Sequence, residues 1–262
     1  MTIPHGHERR TFPGADSPRD GPNGIVFFND HTDMFECIIL AGGLGTRLRS
    51  VVADLPKCMA PVAGRPFLDI LIDRLHAKGV KHIILSLGYL HEVIEAHIRD
   101  RYPYADITCH VEREPLGTGG AIRASLELAH GEDVFVFNGD TWFDVDLRQL
   151  QSFHDRHACD CTVALKAMRD FSRYGRVEIS AEQDIDRFME KEPCAEGLIN
   201  GGVYLIRRSV FLQEAFPEKF SFEADYLACY LERHAIKGML QEGYFIDIGV
   251  PEDYALAQVY FG

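Results

Sequence analysis

The chain has 262 residues, 46% of them apolar, enough to bury one substantial core at a size where an α/β domain commonly stays undivided. Its 27 basic and 40 acidic residues give a net charge of −13, so a nucleic acid would meet net repulsion, and no run of Lys or Arg opposes it. No apolar run approaches the roughly 18 residues of a membrane span and the amino terminus lacks a signal-peptide core, so the expected setting is cytoplasmic, without a membrane partner. Any phosphate bound here has to be held by a few placed cations and backbone amides, as in small nucleotide sites.

Residues 1–33 are rich in Gly, Pro, Asp, Arg and His and have no periodic apolar face. They read as a disordered extension, which leaves 34–262 as a single domain. Phe35 to Leu40 reads as a buried strand, and after a glycine-rich loop Phe67, Leu71 and Leu75 line a helical face that stops at Gly79. A strand from Ile83 to Leu87, a helix through Val93, Ile94, His97 and Ile98, and a strand at Ile107 to Val111 follow. A helix near Ala121 to Ala129 leads into a strand at Val134 to Phe137. This alternation predicts a Rossmann-like, mostly parallel mixed sheet with helices on both faces. After residue 160 the strands crowd together (Thr162 to Ala167, Arg176 to Ile179, Leu198 to Ile206), which predicts an antiparallel addition forming the second wall of a cleft.

The first chemical motif is Leu40-Ala41-Gly42-Gly43-Leu44-Gly45-Thr46-Arg47-Leu48, at the end of the first strand. Glycines there let backbone amides approach phosphate oxygens, and the Arg47 guanidinium can bind a phosphate through two hydrogen bonds. Leu48 stands where a dinucleotide fingerprint needs its third glycine, and no Gly-Lys-Ser/Thr of a P-loop is present. Lys57 follows in Leu55-Pro56-Lys57-Cys58-Met59-Ala60-Pro61, with Pro56 and Pro61 stiffening the loop that carries the cation. The seven cysteines are odd in number and scattered, as expected of reduced core thiols, and Cys159 and Cys161 have no second pair at zinc spacing. Asp140 closely follows the Val134 to Phe137 strand, at the carboxyl edge where open α/β sheets bind ligands.

Together with Glu114-Pro115-Leu116-Gly117-Thr118-Gly119-Gly120, Asn138-Gly139-Asp140-Thr141, Glu190-Lys191, Asn200-Gly201-Gly202-Val203-Tyr204 and Asp247-Ile248-Gly249-Val250-Pro251-Glu252-Asp253-Tyr254, these motifs resemble the sugar-1-phosphate nucleotidyltransferases from residue 35 onward. The resemblance implies that an oxygen of a sugar 1-phosphate attacks the α-phosphorus of a nucleoside triphosphate and pyrophosphate leaves. The product would be a nucleotide sugar for surface polysaccharides. It also implies that Asp140 and Asp247 share one Mg²⁺ and that Leu40, Gly42, Gly43, Gly45, Thr46, Arg47, Glu112, Gly117 and Asp140 bind the nucleotide. Lys57, Gly139, Glu190, Lys191, Asn200 and Tyr204 would bind the sugar phosphate, and Arg47, Lys57, Asp140, Lys191 and Asp247 would carry catalysis. One departure is Glu192, which intervenes before Pro193 where relatives often have proline directly after the lysine. Association into a homo-oligomer is left open.

Four stretches resemble the heptose 1-phosphate guanylyltransferases in particular: Asp170 to Gly175, Gly197 to Gly202, Lys219 to Glu223 and Tyr244 to Gly249. They imply GTP and D-glycero-D-manno-heptose 1-phosphate as the substrate pair. Glu112 agrees with guanine, because a carboxylate accepts the adjacent N1–H and N2–H side by side, whereas uracil and thymine flank their single N3–H with carbonyls. UTP, dTTP or CTP with another sugar 1-phosphate is the alternative pairing. Asp144-Val145-Asp146 copies the Asp-x-Asp metal motif of glycosyltransferases, a competing class. Leu147, Leu150 and Phe153, however, begin a helical pattern that makes Asp146 a natural N-cap, and His154 and His157 fall on its polar side as solvated residues.

Overall fold

The structure is a computed structural model in which residues 35–43, 48, 52 and 55–262 are described. The extension at 1–33 lies outside the described residues, as do Leu44, Gly45, Thr46 and Arg47 of the glycine loop.

The chain begins with β1 (Phe35–Leu40), a 3-10 turn at Lys57–Met59, the short hairpin β2 (Pro61–Val62) and β3 (Arg65–Pro66), and α1 (Phe67–Ala77). There follow β4 (Val80–Leu87), α2 (His91–Arg101), β5 (Asp106–Val111), α3 (Gly117–Leu126), β6 (Asp133–Asn138), β7 (Thr141–Phe143) and α4 (Leu147–Arg156). The second half carries β8 (Cys161–Phe171), β9 (Gly175–Ile179), β10 (Ile185–Lys191), β11 (Cys194–Arg207) and α5 (Arg208–Gln213). A π-helical turn at Phe222–Leu227, β12 (Ile236–Leu240), β13 (Phe245–Asp247) and α6 (Pro251–Phe261) complete it.

β1 lies in the middle of the sheet, parallel to β4 and to β6, and β5 is parallel to β4. Because the central strands are covered on both faces, β1, β4 and β6 carry apolar runs, whereas the edge strand β5 alternates. Cys37 and Ile39 of β1 face the layer of α1, α2 and α4, where they pack with Leu68, Ile72, Ile94, Ile98, Leu147 and Leu150. Ile38 points the other way, into a cluster with Ile122 and Leu126 of α3, Phe211 of α5, and Phe222, Tyr226 and Leu227. Helices therefore cover both faces, and the Rossmann-like reading holds.

The antiparallel addition is built on β11. Its carboxyl half pairs with β6 from Val203 to Arg207, its amino half pairs with β9 at Leu198 and Ile199, and β8 runs antiparallel beside it. The β8 register shifts between Asn200 and Tyr204. There Gly202 has φ +71°, and a Cβ on Gly201 would lie 2.4 Å from the Phe143 ring, so the Asn-Gly-Gly motif is what permits the bulge.

One helical expectation is corrected. His154 is fully buried, because α4 lies over β8, whose Thr162 Oγ1 sits 2.8 Å from His154 Nδ1; Asp133 Oδ1 stands 3.4 Å from Nε2. A polar side chain on that face thus meets partners instead of water. On α2, Ile94 and Ile98 form the buried stripe, whereas Val93 is exposed and His97 Nε2 contacts Asp69 Oδ1 at 2.6 Å.

Candidate functional site

Asp140 stands two residues past β6, where the Gly139 amide donates to Leu40 O at 3.0 Å and so clasps the ends of β6 and β1. A Cβ on Gly139 would fall 2.6 Å from Leu40 O, which restricts that position to glycine. Asp247 arrives from far along the chain through β13, which pairs antiparallel with β7 in the register Asp247 opposite Thr141. The Ile248 amide donates to Asp140 O at 3.0 Å and completes the juxtaposition. The Lys57 ammonium bonds Asp140 Oδ2 and lies 3.7 Å from Asp247 Oδ1, so one cation bridges both carboxylates. Burial and the neighbouring Asp140 charge push the Asp247 carboxyl above the usual carboxylate range, against Lys57, the Gly249 amide and Arg173. Two acidic groups under mutual repulsion, open to a cleft and partly offset by one lysine, form a donor set that fits a hard divalent cation.

Leu40, Gly42 and Gly43 of the glycine loop continue from the end of β1. Gly43 is open to solvent, while a Cβ on Gly42 would meet the Gly88 amide nitrogen at 3.2 Å and Glu112 Oε1 at 3.4 Å. Glu112 is thus brought beside the loop at the carboxyl end of β5, where its carboxylate accepts from Ser86 Oγ at 3.2 Å and the Leu116 amide at 3.0 Å. Gly117 opens α3 with φ +73°, and a Cβ there would lie 2.5 Å from Phe220 O. These residues gather at one end of the central strands.

Beside the two aspartates lies a cavity of about 470 Å³ whose lining includes Asp140, Asp247, Lys191, Asn200 and Tyr204. Asn200 Oδ1 accepts from the Gly202 amide and its Nδ2 donates to the Tyr204 hydroxyl, each at 2.9 Å. Tyr204 lines the cavity as well, although it is a buried core residue whose hydroxyl accepts from Asn200. Glu190, next to Lys191 on β10, is exposed and is not among the lining residues. Sequence reasoning missed Tyr174, Phe188, Met189, Phe245 and Glu223, which also line the cavity. The stretches Asp170 to Gly175, Lys219 to Glu223 and Tyr244 to Gly249 contained three of them, Tyr174, Glu223 and Phe245, but nothing local distinguished a cavity wall from core.

Other candidates resolve into structure. Asp146 caps α4, accepting from the Gln149 amide at 3.1 Å, and Asp144 pairs with Arg74 and Lys78, both at 2.9 Å. The apparent Asp-x-Asp metal motif is thus committed to a cap and an ion-pair cluster. All seven cysteines are unbridged, and burial pushes the Cys58 thiol up to about 12, so the residue next to Lys57 stays protonated at neutral pH. Cys159 is buried in the turn before β8 rather than in the strand itself.

A doubly covered sheet whose strand ends present a glycine loop, paired carboxylates and lysines to one cleft defines a class of nucleotide-handling transferases. Residues 36–260 match the Nucleotidyl transferase family, and the chain belongs to it. It is 47% identical over 223 residues to the D-glycero-alpha-D-manno-heptose 1-phosphate guanylyltransferase of Aneurinibacillus thermoaerophilus, covering 85% of this chain and 96% of that one. The enzyme of the same name from Campylobacter jejuni is 43% identical over 219 residues, covering 84% and 96%. Among solved structures, HddC from Yersinia pseudotuberculosis complexed with GMP-PN superposes with a TM-score of 0.80 at 36% identity, over 87% of this chain and all of that one. No helix among the described residues is long and apolar enough to cross a membrane.

Proposed function

We propose that this protein is a sugar-1-phosphate guanylyltransferase that transfers GMP from GTP to D-glycero-D-manno-heptose 1-phosphate, releasing pyrophosphate and forming a GDP-heptose. The observation that carries this reading is the 47% identity, over nearly the whole of the relative, to an enzyme named for that substrate pair. Glu112, which stands beside Gly42, supports guanine, since a carboxylate can accept that base's adjacent N–H donors side by side.

Asp140 and Asp247 would hold Mg²⁺, which when bound neutralises phosphate charge and polarises the reacting phosphoryl group. The protein's own work is alignment and charge compensation, so no nucleophilic side chain is required. Arg47 and the glycine-loop amides bind the triphosphate. Lys191 draws the sugar phosphate into the cavity, and Lys57 offsets the charge that accumulates as two phosphates approach each other. Asn200 and Tyr204 hold the sugar against the β11 bulge. Phe188, Met189 and Phe245 give the cavity an apolar wall beside these polar groups.

The test is a matrix of GTP, ATP, UTP, dTTP and CTP against heptose, mannose and glucose 1-phosphates, scored by pyrophosphate release with Mg²⁺. GTP with the heptose 1-phosphate is expected to give the highest kcat/KM. A higher value for another nucleotide, or for mannose or glucose 1-phosphate, would overturn the pairing and leave the family intact.

A further inference from the structure

The cavity contains one carboxylate that none of these roles uses. Glu223, in the π-helical turn at Phe222–Leu227, lines it together with Lys191, Asn200 and Tyr204. Its Oε2 accepts from Thr118 Oγ1 at 2.8 Å and from Ser221 Oγ at 3.3 Å, so these partners are neutral hydroxyls rather than a cation. The other acidic lining residues are engaged differently, with Asp140 and Asp247 sharing Lys57. Glu223 instead stands beside Tyr204, whose phenol is held well above its usual range by burial and then by the Glu223 charge. The cavity thus has two distinct anionic neighbourhoods.

This asymmetry orients a substrate that is charged at one end only. A sugar 1-phosphate is repelled by Glu223 at its phosphate and attracted there by Lys57 and Lys191, which leaves its hydroxyls to face Glu223. A carboxylate has about four acceptor sites, and the Thr118 and Ser221 hydroxyls occupy sites on one oxygen. The Asn200 amide likewise keeps one N–H after donating to Tyr204. Resting on the sugar 1-phosphate reading above, we infer that Glu223 is a specificity-determining residue whose carboxylate accepts hydrogen bonds from hydroxyls of the sugar, in a subsite shared with Tyr204 and Asn200. The subsite is also tied to the nucleotide side. Thr118 Oγ1 accepts from the Phe222 amide at 2.9 Å while donating to Glu223, which fixes the acceptor to the amino end of α3.

Glu223→Gln tests this, because it keeps an acceptor oxygen for Thr118 and Ser221 and removes the charge. Steady-state kinetics are run with each substrate varied, using the sugar 1-phosphate and nucleotide that serve the unmodified enzyme best. The KM for the sugar 1-phosphate is expected to rise about 10-fold or more, with the nucleotide KM within about 2-fold and the melting temperature unchanged. Among monodeoxy sugar 1-phosphates, the unmodified enzyme should discriminate strongly against the one lacking the hydroxyl that Glu223 accepts from, and Glu223→Gln should lose that discrimination. A folded Glu223→Gln protein with an unchanged sugar KM, or with equal rises for both substrates, overturns the inference. Should that variant not fold, the deoxy series on the unmodified enzyme decides: equal use of every monodeoxy sugar overturns it. If the unmodified enzyme releases pyrophosphate with no sugar 1-phosphate, the functional reading falls and this inference with it. Turnover that is indifferent to Glu223 removes this inference alone.

Discussion

Lys57 shows how little residue type says without position, since a single lysine on a proline-stiffened turn becomes the cation shared by Asp140 and Asp247. Asp140→Asn and Asp247→Asn each preserve shape and remove one charge from this group. Each is expected to lower kcat by at least ~100-fold with little change in melting temperature, because the lost term acts on charge developing in the transition state. Near-normal turnover of either variant at saturating Mg²⁺ would remove the paired-aspartate assignment. Lys191→Ala is expected to raise chiefly the KM of the sugar 1-phosphate and Arg47→Ala chiefly that of the nucleotide; initial rates with each substrate varied would show the reverse if the roles were exchanged. The motifs that carry Asp140, Lys191 and Asp247 were legible beforehand, because each is contiguous in sequence. The Asn200–Tyr204 hydrogen bond was not, since it depends on a bulge that only the β8 and β11 pairing creates.

Helix starts carry the second set of consequences. Asp146 caps α4 by accepting from the Gln149 amide and does not line the cavity beside Asp140 and Asp247, so Asp146→Ala should cost about 1 kcal/mol in chemical denaturation and leave turnover unchanged. A large loss of activity without loss of stability would instead revive the glycosyltransferase metal reading. Gly117 is constrained twice, by φ +73° and by Phe220 O 2.5 Å from the position of a Cβ. Gly117→Ala should therefore destabilise the fold by ~2 kcal/mol or more, measured by denaturant titration, and weaken the strap between α3 and the 220s. The periodicity of α4 was readable from Leu147, Leu150 and Phe153, but the burial of His154 was not, because it depends on Thr162 arriving beneath the helix from the next strand.

Across the whole molecule, acid stability follows from carboxylates that do not line the cavity. At the amino end of β1 and β4, Glu36 accepts from the His130 amide at 2.9 Å and the Gly131 amide at 2.7 Å and contacts His82. Although burial acts in the opposite sense, these amides and His82 hold Glu36 below its ordinary value of 4.5. Asp133 and Asp144 lie below their ordinary 3.8, opposed by burial and lowered by His154 and by Lys78 with Arg74, respectively. A carboxylate depressed in the folded state contributes stability that is fully present above its unfolded value and is lost as pH falls through its lower folded value. Melting temperature should therefore hold above about pH 5 and fall progressively as the pH drops below the ordinary carboxylate values. Glu36→Gln should flatten part of that fall, and an unchanged acid limb in this variant would exclude Glu36 as a contributor.

The sequence by itself determined the order of elements in the doubly covered parallel half, and it singled out the glycine loop and the two aspartates as candidates. These are written in local periods of hydrophobicity, in glycines that permit close backbone approach, and in short motifs. Only the tertiary structure decided which distant groups meet. The β7–β13 register sets Asp247 beside Asp140, and Thr118 bonds Glu223 across 105 positions of chain. Glu190 lies off the cavity that its neighbour Lys191 lines. Each of these depends on strand register or helix docking, and a one-residue slip in register turns a side chain to the opposite face without altering any local pattern.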